Sequence, residues 1–236
     1  MSNRLKEVEL FEPVKDFLFK NGCSKVYGEV VNCDVVGVQG AVDIIVELKT
    51  SLTFKVIDQV LDRLHLGHYI YIAIPKRKSY IPRSVKKILE QNKVGLLEIE
   101  EDEYHQKLYG DKKLIAHVSI AARFNRISLQ YQKKKKDFNS IRKHIKPYHE
   151  EQAGGLPSGE IVTDYKITMN NIKFYLKYDK RSQWATVDEI LKRCETHYAN
   201  PKPSVSSTLR KEWNSDWIES KVENGKWYFR YKEVNM

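Results

Sequence analysis

The chain has 236 residues, more than the ~100–200 of a typical single domain, so two domains are the working number. Its 41% hydrophobic and 31% charged residues permit a buried core and exclude disorder along the whole length, and a formal charge of +10 makes nucleic acid the leading partner class. Residues 1–15 are charged throughout, no apolar run approaches the ~18–20 residues that cross a bilayer, and Cys23, Cys33 and Cys194 lack C-x-x-C or zinc-ligand spacing; a cytoplasmic protein with reduced thiols is expected.

Leu10, Phe11, Val14, Phe17 and Leu18 recur at helical spacing and stop at Asn21-Gly22, which predicts a first helix. Three strands follow, at 26–31, 34–38 and 42–49, with Gln39-Gly40 as a tight turn between the last two. Helical periodicity returns over 57–66, and the apolar run 69–74, ended by Pro75, reads as a buried strand. Pro82 opens a further helix through Gln91, and 94–99 supplies another strand before the acidic break Glu100 to Glu103. The predicted first domain is therefore an α/β (α+β) unit over 1–125 with an αβββαβ core and a mixed sheet.

Residues 126–159 read as a basic connector. It carries Lys133, Lys134, Lys135 and Lys136, then Arg142, Lys143 and Lys146, then the breaker Gly154-Gly155-Leu156-Pro157. Such a stretch is either a solvated linker or a set of phosphate contacts that position DNA without reading its sequence. The expected second domain spans 160–236. Ile172, Tyr175 and Leu176 mark a helix over 171–178, Thr186 to Glu189 forms a capping box that starts a second, and a third follows Pro203 over 204–213. Segments 217–222 and 226–231 flank Glu223-Asn224-Gly225, a strong hairpin signal, and three helices with a hairpin describe a winged helix-turn-helix. In such a module the third helix enters the major groove, so Ser204, Ser206, Ser207, Arg210 and Lys211 are expected near double-stranded DNA, with Lys221, Lys226 and Arg230 on the wing. Trp213, Trp217 and Trp227 are expected in the interior.

The chemistry is expected in the first domain. With Gln39-Gly40 as the turn, paired residue numbers sum to 79 and Asp34 lies opposite Ile45; period-2 alternation then sends Asp34, Ile45, Glu47 and Lys49 to one face. Charges among Val42, Ile44, Val46 and Leu48 are costly unless paired or metal-bound. Asp34, Glu47 and the main-chain carbonyl of Leu48 supply oxygen ligands suited to Mg²⁺, with Mn²⁺ as substitute, and Lys49 can orient an attacking water or stabilise charge on a pentacovalent phosphate. Asp43 lies on the same predicted face and replaces Asp34 as ligand if the turn is longer. His65 and His68 sit three apart without a third ligand and read as structural.

Cys33-Asp34-Val35-Val36 followed by Val46-Glu47-Leu48-Lys49 resembles the D…(D/E)xK signature of the PD-(D/E)xK, or restriction-endonuclease-like, phosphodiesterases, across roughly residues 7–100. The pattern Glu7-x-x-Leu10-Phe11-x-Pro13-Val14-Lys15, with Gly28-Glu29-Val30 and Asp58-Gln59-Val60, is more narrowly similar to an uncharacterised bacterial family of such enzymes with a later Gly-Gly segment and a C-terminal helical domain. The resemblance implies Asp34, Glu47 and Lys49 as catalytic core, Glu7 and Glu29 as accessory acids, and Gln59 as a polar residue near the site; Cys33 stands where the signature has proline. The function expected is a Mg²⁺-dependent DNA endonuclease, for which a homodimer would serve cutting of both strands. The alternatives are an inactive DNA-binding regulator on the same fold and an RNA-cleaving nuclease.

Overall fold

A computed structural model describes residues 5–127, 130 and 140–233 and divides the chain into two compact units, Met1–Ile161 and Val162–Met236. The four lysines Lys133, Lys134, Lys135 and Lys136 lie outside the described residues. Among the described residues no helix is long and apolar enough to cross a membrane.

In the first unit a 3-10 turn, Glu7–Leu10, leads into α1 (Phe11–Lys20), and six strands follow: β1 (Lys25–Val30), β2 (Cys33–Gln39), β3 (Val42–Leu48), β4 (Tyr69–Pro75), β5 (Val94–Glu101) and β6 (Leu114–Ile120). They form one sheet in sequential order, antiparallel for β1-β2-β3, parallel for β3-β4-β5 and antiparallel again for β5-β6. Parallel neighbours need crossover connections, here α2 (Phe54–Asp62) and α3 (Arg83–Gln91). Alternation on β3 builds the core on both sides: Ile44, Val46 and Leu48 pack with Leu10, Phe11, Val14 and Leu18 of the α1 region, while Ile45 packs with Val56, Ile57 and Val60 of α2 and Leu89 of α3. Strands covered on both faces need near-continuous apolar runs, as in Tyr69–Pro75, which makes the charges on β3 conspicuous.

The structure revises several expectations. Gln39 pairs with Val42, so the β2-β3 turn is Gly40-Ala41 and paired numbers sum to 81. Gly40 has φ of 55°, which suits the first central position of a two-residue hairpin loop. A shift of two preserves the parity of every side chain, and the register carries Asp34 toward Glu47 rather than Ile45. The helix expected at 57–66 begins earlier, because the Thr53 hydroxyl accepts the Val56 N–H. The acidic break instead contains the end of β5 and Asp102, which caps α4 (Glu103–Tyr109) through the N–H groups of Tyr104 and His105.

The described part of the expected connector belongs to the first unit. Ile141 is buried in the core beside α2 and α3, Arg142 pairs with Asp43, and α5 (Tyr148–Glu151) is tied to β1 by Lys25 and Glu150 at 2.9 Å.

The second unit runs α6 (Asp164–Phe174), a π-helical turn (Tyr175–Asp179), β7 (Ala185–Thr186), α7 (Val187–Leu191), α8 (Pro201–Leu209), β8 (Ile218–Glu223) and β9 (Lys226–Tyr231). Its antiparallel sheet has the order β7-β9-β8. The first helix starts earlier than expected, capped by Thr163, and the third starts at Pro201 rather than after Pro203. Phe229, Ile172, Leu176, Ile190 and Val205 fill the core; Trp217 and Trp227 pack against it partly buried. Trp213 is 65% exposed, against the expectation of an interior residue, with its indole N–H donating to Tyr165.

Candidate active site

The site forms where β2 and β3 part at their ends. Beyond the Val35–Val46 pair the ladder stops, and the Asp34 carboxylate accepts the Leu48 N–H at 2.7 Å. Glu47, one residue earlier on β3, is 1% exposed, so its charge must be met inside the protein. Lys49 and Arg63 meet it: the Lys49 ammonium lies 3.0 Å from Glu47 Oε1, and the Arg63 guanidinium from the end of α2 is in ionic contact with Glu47 Oε2.

Lys49 Nζ is the hub. It stands 3.2 Å from Asp34 Oδ2 and 3.2 Å from Glu7 Oε2, and donates to the Leu48 carbonyl at 2.7 Å. Four oxygens from the 3-10 turn, β2 and β3 therefore face one cation. With Glu7, Asp34 and Glu47 ionised against Lys49 and Arg63, the cluster holds one more negative charge than positive.

A fourth acid stands close by. Glu29 on β1 has φ of 57°, a left-handed backbone uncommon for a residue with a side chain. Its Oε1 accepts the Leu156 N–H at 3.1 Å. Burial pushes the Glu29 carboxyl up to about 7, with help from the Asp34 charge; the N–H groups of Leu156 and Gly155 and the Lys49 charge pull the other way.

The loop bearing Leu156 fits there because glycines allow it. A Cβ on Gly154 would stand 2.1 Å from the Asp34 carbonyl oxygen, and one on Gly28 would stand 2.2 Å from the Gln152 carbonyl oxygen. Gly155, at φ 72°, packs on Glu7. The Gly-Gly segment expected as a breaker in a linker is thus a wall of the site, in contact with three of its four acids.

Gln59 is half-buried on α2, one helical turn before Arg63; the α2-end side chain that touches Glu47 is that of Arg63, which sequence reasoning missed. The signal available was its i+4 spacing from Gln59. Asp43 does not join the cluster. Arg142 Nε lies 2.5 Å from its Oδ1, and the Asp43 N–H donates to His68 Nδ1, at the opposite end of β3. His68 is accordingly structural, and His65 Nδ1 lies 2.8 Å from the Asp62 carbonyl oxygen. Cys33 is fully buried and burial pushes its thiol up to about 12, which removes it from nucleophilic chemistry.

In the second unit Ser207, Arg210, Lys211 and Lys226 are exposed, while Ser204 and Ser206 are half-buried. Arg210 donates to the Ser206 carbonyl and stacks over Trp227. Lys221 pairs with Glu223 at 2.8 Å, and Arg230 is held by Glu219 through two nitrogens at 2.6 and 2.7 Å.

Among the described residues no three His, Cys, Asp or Glu side chains stand as a ready metal cage. The Lys49 ammonium lies between the carboxylates instead. The donor set still suits a hard divalent cation: it is all oxygen, it carries excess negative charge, and its oxygens already converge on one positive centre. Glu7 and Lys49 keep part of their side chains in solvent.

No family model, no curated protein and no solved structure matches the chain.

Proposed function

We propose that the first unit is a metal-dependent phosphodiesterase of the PD-(D/E)xK, restriction-endonuclease-like type that cleaves DNA, and that the second is a winged helix that holds duplex DNA. One observation carries the reading: Glu7, Asp34, Glu47 and the Leu48 carbonyl all lie within 2.7–3.2 Å of Lys49 Nζ at the end of a central strand. The order of helix, three antiparallel strands, helix and parallel strand supports it. Asp34, Glu47 and the Leu48 carbonyl would hold Mg²⁺, or Mn²⁺ in its place. When bound, such an ion supplies Lewis-acid polarisation of a phosphoryl oxygen and a lowered pKa for water.

The protein's own contributions are separable. Lys49, released from the carboxylates, places a mobile positive charge beside the scissile phosphate, where it orients the attacking water or offsets charge on the pentacovalent phosphate. Arg63 holds Glu47 in place. Glu29 provides a carboxyl able to exchange a proton near neutral pH, and Leu156 fixes its position.

The order α6-β7-α7-α8-β8-β9 with a β7-β9-β8 sheet supports the winged-helix reading. In it α8 brings Ser204, Ser206, Ser207, Arg210 and Lys211 to the major groove, and the β8-β9 hairpin brings Lys226 to the backbone. Lys221 and Arg230 must exchange their glutamate partners for phosphates to contribute. Three free, buried cysteines support a cytoplasmic setting.

A second reading is favoured by Lys49 itself, which satisfies the carboxylates without any metal: a DNA-binding regulator that does not cut. Incubation of the purified chain with supercoiled plasmid, linear duplex, single strands and RNA, in Mg²⁺ or EDTA, separates the two. Metal-dependent cutting lost in both Asp34→Ala and Lys49→Ala supports the enzyme; tight duplex binding without cutting of any substrate supports the regulator. Preferential RNA cleavage would make RNA the substrate.

A further inference from the structure

The loop between β4 and α3 carries Lys76, Arg77, Lys78, Ser79 and Tyr80 between Pro75 and Pro82. Single exposed apolar side chains are ordinary, but Tyr80 is 101% exposed and stands in a row of cations at the rim of an open cleft. Two clefts meet at Arg77. The first, about 560 Å³, is lined from Thr50 and Ser51, directly after Lys49, to Lys76 and Arg77. The second, about 480 Å³, is lined by Arg77, Lys78, Tyr80 and Lys86.

Their charges differ. The first is lined by two cations, Lys76 and Arg77, and two acids, Glu100 and Glu101; at the second, Arg77 pairs with Glu98 at 3.6 Å and Lys86 with Glu90 at 3.8 Å, so the surplus positive charge there is that of Lys78. Lys78 has no carboxylate partner among the described residues, and Arg83 and Lys87 extend the exposed positive charge along α3. A charge-balanced cleft that starts at the residues after Lys49 therefore adjoins, at Arg77, one with surplus positive charge rimmed by an unpacked aromatic ring.

We propose that this loop is a platform for an unpaired polynucleotide strand, with a base stacked on Tyr80 and phosphates on Arg77, Lys78 and Lys86, the strand running through the Thr50 and Ser51 cleft to the Asp34, Glu47 and Lys49 site. The proposal rests on the phosphodiesterase reading of that site. Within a duplex each base is already stacked on its neighbours, so a ring on a cleft rim takes only a base freed from pairing. Stacking is tolerant of sequence because every base has a π-face, and flanking cations follow the backbone. The substrate class is a duplex that bears a single-stranded tail.

The test is fluorescence anisotropy of the full chain in EDTA with a blunt duplex and the same duplex carrying a DNA or an RNA tail. Tailed duplex is expected to bind tighter than blunt, and Tyr80→Ala and Lys78→Ala each to cut that preference roughly tenfold, with Tyr80→Phe retaining it. Either tail chemistry that carries the preference supports the platform and names the strand. Equal affinity for tailed and blunt duplex, or a preference untouched by Tyr80→Ala, overturns it. Cutting is measured separately with Mg²⁺. A Tyr80-dependent preference with no cutting of any substrate removes the phosphodiesterase reading and keeps the platform; cutting with no Tyr80-dependent preference does the reverse.

Discussion

Strand β3 buries two carboxylates, Asp43 near one end and Glu47 near the other, at 4% and 1% exposure. Their surroundings differ in one respect. Asp43 meets the Arg142 guanidinium at 2.5 Å and the His68 ring, and among the described residues no second acid shares that pairing. Glu47 shares Lys49 with Asp34 and Glu7, so acids outnumber bases. A balanced buried pair closes a fold, whereas a partly buried cluster with surplus negative charge has capacity for a further cation. Position on the strand and burial do not distinguish the two sites. Charge balance does.

The sharpest way to break this comparison is to remove one group from each end and read both activity and stability. Asp34→Ala or Lys49→Ala is expected to lower the cutting rate by at least about 100-fold, the low end of what a positioned catalytic group supplies, and Asp34→Ala, which removes the surplus negative charge, should leave the fold intact. Arg142→Ala should do the opposite: chemical denaturation of the full chain is expected to show a loss of about 3 kcal/mol, because Asp43 stays buried with its main partner gone. Equal loss of stability at both ends would mean that the Glu47 cluster is as structural as the Asp43 pair.

A smaller effect follows from the surplus charge. Mg²⁺ or Ca²⁺ at a hundredfold excess over its dissociation constant should stabilise the chain by roughly 2.7 kcal/mol through linkage. That gain should vanish in Asp34→Ala and persist in Arg142→Ala. In EDTA, Glu7→Gln relieves crowding, so its melting temperature should equal or exceed that of the parent. A clear drop would show that the cluster needs all its acids without a metal.

The parts of this contrast that sequence reveals are the local ones. Glu47 and Lys49 stand out because they interrupt an apolar strand, and period-2 alternation brings Asp34 beside them whether paired numbers sum to 79 or 81, since an error of two leaves every side chain on its face. An error of one would have sent Asp34 to the other face. What decides between the two ends of β3 comes from far along the chain. Arg142 reaches Asp43 across 99 positions, and Leu156 reaches Glu29 across 127. Both come from a stretch whose lysines and glycines suggest a linker, because composition reports average solvation and not the single arginine or glycine pair that docks. The same limit hid α4 and β6: four consecutive acidic residues read as a break, although β5 continues through Glu100 and Glu101 and Asp102 is a helix cap.

A pH-dependent effect concerns Glu29, where the Gly-Gly wall meets the crowded end. Its folded pKa is about 7, above the ordinary value of 4.5, mainly because the carboxyl is buried. Between those values the folded chain holds a proton that the unfolded chain has released, so stability falls as pH rises. The contribution is fully present below about pH 4.5, declines through pH 7 and is constant above it. Glu29→Gln keeps an oxygen to accept the Leu156 N–H but cannot titrate. Melts of parent and variant from pH 4.5 to 8 should therefore converge or cross as pH rises, with the parent losing ground to the variant across that window; every other group cancels in the difference. Parallel curves would mean that Glu29 is solvated, and that the loop from Gly154 to Leu156 lies against the site without closing it from water.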